Sequence, residues 1–237
     1  MAVSGLALGA FVDRVLEENA PALDGAADAV VATLQADGLV RTAGAGHSLA
    51  AVMESFYRAG GLAQVRPLWH PSLLPLANAA ESTRAERQPG LGASVAASAG
   101  IESRDALVIF SNSGINHYPV EVAQAARELG ATVIAVTSVR ASSASEPRAG
   151  HRLLDLADVV LDTLVPPGDV SAPVAQPVTV PLSSLATNAL WSALLERIVA
   201  LEQDVALWRS ANVSGNDSAN AALIERLGPR IPELGSA

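Results

Sequence analysis

Ala106-Leu107-Val108-Ile109-Phe110-Ser111-Asn112-Ser113-Gly114, continued by Ile115-Asn116-His117-Tyr118-Pro119, is the stretch on which the reading of this chain turns. The unbroken apolar run suits a strand covered on both faces. It stops abruptly in small hydroxyl and amide residues, after which Pro119 opens a helical run to Leu129. Open α/β sheets bind ligands at the carboxyl ends of their strands, which is where this polar loop falls. Loop N–H groups, the hydroxyls of Ser111 and Ser113, and a helix N-terminus would converge on one spot. That is a site for a phosphate or another small anion.

Outward from this stretch, strand-like and helical patterns alternate. Residues 6–35 carry apolar positions at helical spacing, with a break near Asn19-Ala20-Pro21 that predicts two helices. Strands are expected at 38–43, 62–65, 106–110, 132–136 and 157–161. Helices are expected at 49–58, 79–87, 93–99 and 120–129, the last stopped by Gly130. Residues 67–75 and 140–150 read as loops, and the Pro-rich residues 163–180 as a long crossover around Gly168-Asp169 that would act as a flap. Ser183 or Ser184 caps an apolar helix expected to run to about Ala206. A polar knot, Arg209–Asp217, and a last helix to about Leu227 follow; the knot would close over a ligand or cap helices. The order predicts a three-layer α/β/α sandwich around a five-stranded parallel sheet. One domain is expected: a core of about 36–200, an N-terminal helical extension 1–35 and a C-terminal knot and helix 206–237.

Composition removes several classes of function. Half the residues are hydrophobic but only 3% are aromatic, so the core is built from Ala, Val, Leu and Ile, which favours closely packed helices and parallel strands. The formal charge of −9 argues against nucleic acid, which needs a basic face. The chain has no Cys, which excludes disulfides, thiolate nucleophiles and Cys-based metal sites. It has no Lys either; all 15 basic residues are Arg. Schiff-base chemistry and the P-loop are therefore excluded. No basic region followed by an apolar run opens the chain, so no membrane association and a cytoplasmic location are expected. The four His are scattered without helical pairing, and no metal or cofactor is expected.

A second loop, Gly44-Ala45-Gly46-His47-Ser48, also follows a strand and opens a helix. A dinucleotide fingerprint would need a third glycine where Leu49 stands, and an acid after the second strand, where Trp69 and His70 follow. An anion loop with Ser48 at a helix N-terminus fits better.

Together, Gly-Ala-Gly-His-Ser, Phe-Ser-Asn-Ser-Gly and Val136-Thr137-Ser138 resemble the SIS (sugar isomerase) domain over roughly residues 36–200. The turns Phe56–Leu62 and Trp208–Asn212 are similar to a bacterial branch of that family labelled by likeness to phosphoheptose isomerases. The resemblance implies a flavodoxin-like SIS fold in which Ser48, Ser111, Asn112, Ser113 and Gly114 bind the phosphate of a sugar phosphate. Asn116 stands where the family usually has a Thr that touches it, and Ser183 or Ser184 would add a donor. It also implies a homodimer or homotetramer whose subunits share the sites. The apolar N-terminal helices and the apolar helix after 183 point to oligomerisation too.

Aldose–ketose isomerisation removes a proton beside a carbonyl and returns it one carbon along, work for a carboxylate of raised pKa. Glu54, on the helix after the first loop, and Glu86 are the candidates. Isomerases of the family commonly take a His from the last long helix, but no His occurs after residue 151. His47 and His117, each in an anion loop, stand in for it, and His70 lies within possible reach. Two further readings stay open: a lyase of the N-acetylmuramic acid 6-phosphate etherase type, which needs two carboxylates and no ring-opening His, and a phosphosugar sensor without chemistry.

Overall fold

The computed structural model describes residues 8–235. Helices α1 (Leu8–Glu18) and α2 (Ala20–Gln35) lead into β1 (Val40–Gly44) and α3 (Leu49–Ser55). Then come β2 (Val65–Leu68), α4 (Ala79–Ala85), α5 (Leu91–Ala99) and β3 (Ala106–Phe110). After α6 (His117–Glu128) and β4 (Thr132–Thr137) lie two short helices, α7 (Val139–Ser143) and α8 (Leu153–Leu156), before β5 (Val159–Asp162). The long α9 (Ser183–Leu201) and α10 (Asp217–Leu227) complete the chain.

All five strands are parallel, in the order β2-β1-β3-β4-β5. The order reverses between β1 and β3, where Gly44 lies opposite Phe110. Every residue of β1 and of β3 is buried, as expected for strands roofed on both faces. Helices α1, α2, α3 and α9 cover one face and α5, α6 and α8 the other, giving three layers. Small side chains let the helices approach closely: an added Cβ on Gly92 of α5 would stand 2.4 Å from the carbonyl oxygen of Tyr118 in α6. On the opposite face Phe110 meets Trp191 of α9 edge to face, with centroids 6.3 Å apart.

At the amino-terminal edge of the sheet the Arg41 guanidinium is 97% buried. Its Nε donates to Asp105 Oδ2 at 2.6 Å, and its two other nitrogens reach the carbonyls of Ala99 and Gly100. Asp105 also accepts the N–H groups of Leu39 and Glu102, so the pair is fully hydrogen-bonded.

The structure moves some expected boundaries. The second strand is Val65–Leu68 rather than 62–65, and it includes Pro67. It is an edge strand, where the missing proline N–H costs no ladder bond. Leu62 instead bridges antiparallel to Leu207, fastening the tail to this edge. Helix α6 starts two residues before Pro119, and α9 stops at Leu201, short of the expected 206. A short helix, α7, occupies part of the expected 140–150 loop, because Ser138 Oγ accepts the Ala141 N–H as an N-cap. The polar knot is tied to α10 at its start: Asn220 holds both the N–H and the carbonyl of Arg209.

Candidate functional site

The reversal of strand order opens a crevice between the carboxyl ends of β1 and β3, and both loops sit in it. The first loop turns back on its strand so tightly that a Cβ on Gly44 would be 2.9 Å from the carbonyl oxygen of Ser48. Gly46 adopts the left-handed conformation with φ +59°, and Gly46–Ser48 form a single 3-10 turn into α3. The second loop is pinned at several points. Ser111 N–H donates to Val136 O, the Thr163 hydroxyl donates to Asn112 Oδ1 at 2.7 Å, and the Ser138 N–H donates to Asn112 O. Gly114 takes φ +61°, and its N–H donates to Ser111 Oγ at 3.2 Å. A side chain there would meet Thr137 Oγ1 at 2.9 Å.

These constraints shape a cleft of about 310 Å³ that Ser48, Ser111, Asn112, Ser113 and Asn116 line. The hydroxyls of Ser48 and Ser113 make no hydrogen bond among the described residues and are free to donate to a ligand. The N-terminus of the 12-residue α6 adds its dipole, favouring an anion by about 0.3–1 kcal/mol. Gly114 shapes the turn rather than lining the cleft.

Two carboxylates reach the cleft, and their hydrogen-bond partners differ. Asp169, in the strap after β5, accepts the N–H groups of Leu182 and Ser183, both at 2.9 Å, and the Ser183 hydroxyl. Its charge is thereby held at the start of α9, and Ser183 is occupied in holding it. Glu86, the C-cap of α4, is half-buried. Asn116 Nδ2 donates to its Oε1 at 2.8 Å, and Oε2 lies toward Gly46, 3.8 Å from where a Cβ there would be. Burial raises the Glu86 carboxyl above the usual carboxylate range, against the pull of Arg87 and Arg148. Arg148 Nη1 in turn donates to Asn116 Oδ1, so guanidinium, amide and carboxylate form one chain.

On the far side of Glu86 a second hollow, about 300 Å³, is lined by Gly46, His47, Pro75, Ser82 and Thr83. It shares Ala45, Ser48 and Glu86 with the cleft. An elongated molecule anchored in the cleft would pass Glu86 on entering it.

Of the residues singled out from sequence, Ser48, Glu86, Ser111, Asn112, Ser113 and Asn116 come together in the cleft, with His47 in the adjoining hollow. The rest lie apart. Glu54 pairs with Arg58 at 2.6 Å and lines neither space. His117 Nδ1 lies 3.2 Å from Glu121, whose carboxylate also accepts the N–H groups of Gly90, Gly92 and Ala93. His70 pairs with the Ser72 hydroxyl, and Ser184 lies outside the cleft lining. Sequence reasoning missed Arg148 and the role of Asp169 as the anchor of α9. Asp169 is flagged by its place after Pro166-Pro167-Gly168 in a long crossover; no local spacing marks Arg148. Among the described residues no group of three or more His, Asp or Glu side chains is placed to hold a metal, and no helix is long and apolar enough to cross a membrane.

Comparison with known proteins agrees with this architecture. Residues 7–138 match the family model described as the SIS domain. A UPF0309 protein of Brucella canis is 39% identical over 218 residues, covering 90% of this chain and 89% of that protein. A UPF0309 protein of Brucella abortus is 38% identical over the same span. Among solved structures, a phosphoheptose isomerase from Neisseria gonorrhoeae superposes with a TM-score of 0.53 at 20% identity, over 81% of this chain and 91% of that one. The sugar isomerase domain of an RpiR transcription factor from Sphaerobacter thermophilus gives 0.52 at 16% identity, over 94% of each chain. These two likenesses concern the fold. By its family match and its relatives, the chain belongs to the SIS domain family, among the UPF0309 proteins.

Proposed function

We propose that the cleft binds a sugar phosphate and that Glu86 is the base of an aldose–ketose isomerisation. The observation that carries this reading is the position of Glu86 between an anion cradle of uncommitted hydroxyls and a second hollow that continues from it. Ser48, Ser111 and Ser113 would donate to the phosphate, together with loop N–H groups at the start of α6. The sugar would extend past Glu86 toward His47. Glu86, kept basic by burial and steered by Asn116, would take the proton from the carbon beside the carbonyl. The electron pair forms an enediolate, and the proton returns to the neighbouring carbon. His47 would move the proton between the two oxygens.

A lyase reading has one specific observation in its favour: two carboxylates, Glu86 and Asp169, line the cleft and no His does. After the same proton removal, a substituent two carbons from the carbonyl carbon would leave with its bonding electrons, and Asp169 would have to release α9 to protonate it. The present ties of Asp169 make isomerisation the preferred reading.

A panel of aldose and ketose phosphates in D₂O, followed by NMR, separates the two. Deuterium at C2 with interconversion supports the isomerase, and loss of a substituent supports the lyase. Saturable binding with neither would leave a phosphosugar sensor.

Assembly belongs to the same proposal. Met53, Tyr57, Trp69 and Leu76 are exposed near the β2 edge, and a homodimer or homotetramer that covers them would place residues of a second copy beside the hollow. Sedimentation equilibrium measures the assembly directly; a monomer at micromolar concentration would rule it out.

A further inference from the structure

Behind the strap of residues 163–180 lies a hollow of about 450 Å³ that shares only Pro167 with the phosphate cleft. Its walls are apolar: Phe11 of α1, then Leu164, Val170, Val174 and Leu182. Two guanidiniums stand over them, Arg14 from α1 and Arg140 from α7. The Arg14 contact with Glu18 is 3.9 Å long, with both side chains more than half exposed, so it neutralises little. Arg140 forms no ion pair among the described residues. The neighbouring carboxylate, Asp162, is engaged by backbone: its Oδ1 accepts the N–H groups of Val139 and Leu164, both at 3.0 Å.

In a chain of net charge −9, two guanidiniums beside an apolar floor offer an anion partners that few other surfaces supply. A strongly hydrated anion gains nothing from the floor, and a neutral apolar molecule gains nothing from the guanidiniums. A molecule with a carboxylate or phosphate on an apolar body uses both. We propose that this hollow is a second binding site, separate from the cleft, for a small amphipathic anion whose charged group sits between Arg14 and Arg140 and whose apolar body lies on Phe11, Val170 and Val174.

Fluorine NMR with 4-(trifluoromethyl)benzoate as the probe, and the neutral 4-(trifluoromethyl)benzamide as control, tests the site in the full chain. The benzoate should bind saturably at about millimolar concentration, as expected for a molecule of its size. The amide should bind at least about 10-fold more weakly, since it lacks the charge that two guanidiniums stabilise. The double variant R14Q/R140Q should lose the difference between the two probes. Val174→Glu, at an exposed position, should weaken the benzoate and spare the fold. Equal binding of benzoate and benzamide, or benzoate binding unchanged in both variants, would overturn the proposal. So would competitive displacement by inorganic phosphate together with loss in Ser113→Ala, which would put the probe in the cleft. The cleft's own failure to take sugar phosphates would leave these results unaltered, so the two readings stand or fall separately.

Discussion

Asn116 Nδ2 donates to Glu86 Oε1 at 2.8 Å, so the residue that opens helix α6 also fixes the carboxylate that closes helix α4. Residues 30 positions apart thereby couple the second loop to the carboxylate proposed as the base. Asn116→Ala should leave Glu86 unsteered and lower kcat about 10- to 100-fold, by loss of orientation, with a smaller change in phosphate affinity. Kinetics that separate kcat from KM on a turned-over sugar phosphate check the split.

Arg148 extends that chain and is a cation near Glu86. Removing it disfavours the carboxylate and raises the Glu86 pKa further. Arg148→Gln retains a donor for Asn116 but not the charge. The acid limb of kcat/KM, which reports a base that must be ionised, should therefore move to higher pH. An unmoved limb would separate Arg148 from the base.

Glu86 holds its proton more tightly folded than unfolded, because burial penalises its charge. Its contribution to stability is therefore fully present below the unfolded pKa and is lost as pH rises through the raised folded pKa. Glu86→Gln is uncharged throughout. Its Tm should match wild type below about pH 4, where both side chains are neutral, and exceed it at neutral pH. Differential scanning calorimetry across that range measures the crossover.

The phosphate grip predicts that Ser113→Ala weakens sugar phosphate binding by about 1–3 kcal/mol, since a charged ligand loses a donor. Titration calorimetry gives the value directly. Gly114→Ala should act on the fold instead: it forces a side chain to φ +61° and against Thr137 Oγ1. A loss of about 1–3 kcal/mol in urea unfolding is expected.

At the other end of the sheet, Asp105→Ala would leave the Arg41 guanidinium buried without its counter-charge. Unfolding free energy should fall by about 3–5 kcal/mol. Denaturant titration of this variant, with no change in phosphate affinity per folded molecule, would show that the pair serves stability alone.

What could be read from residue order was local. The apolar run 106–110 and the hydroxyl loop after it carried enough periodicity and turn chemistry to place a strand and a polar loop at its carboxyl end. Gly44–Ser48 did the same for the neighbouring strand. Parallel order followed from the alternation of strands and helices. Pairing across distance was not legible. Arg148 reaches Asn116 from a Ser- and Pro-rich segment 32 residues away. Glu54 lay at a plausible spacing on α3, but it stands at the end of that helix, where it pairs with Arg58 of the turn that follows and lines neither space. Glu86 differs because the end of α4 meets the start of α6, where the Tyr118 N–H donates to its carbonyl and Asn116 to its carboxylate, a meeting that no local pattern announces. The second strand was misplaced because Pro67 argues against a strand in isolation, and the edge position that tolerates it is a property of the whole sheet.

The central claim is that Glu86 takes a carbon-bound proton from a sugar phosphate held by the hydroxyl loop. Deuterium exchange at C2 of a bound sugar phosphate in D₂O, compared between wild type and Glu86→Gln, tests it most directly. The account predicts that the variant binds the sugar phosphate as wild type does and exchanges it about 10²- to 10⁴-fold more slowly, the usual contribution of a positioned general base. Exchange at the wild-type rate in Glu86→Gln would contradict it.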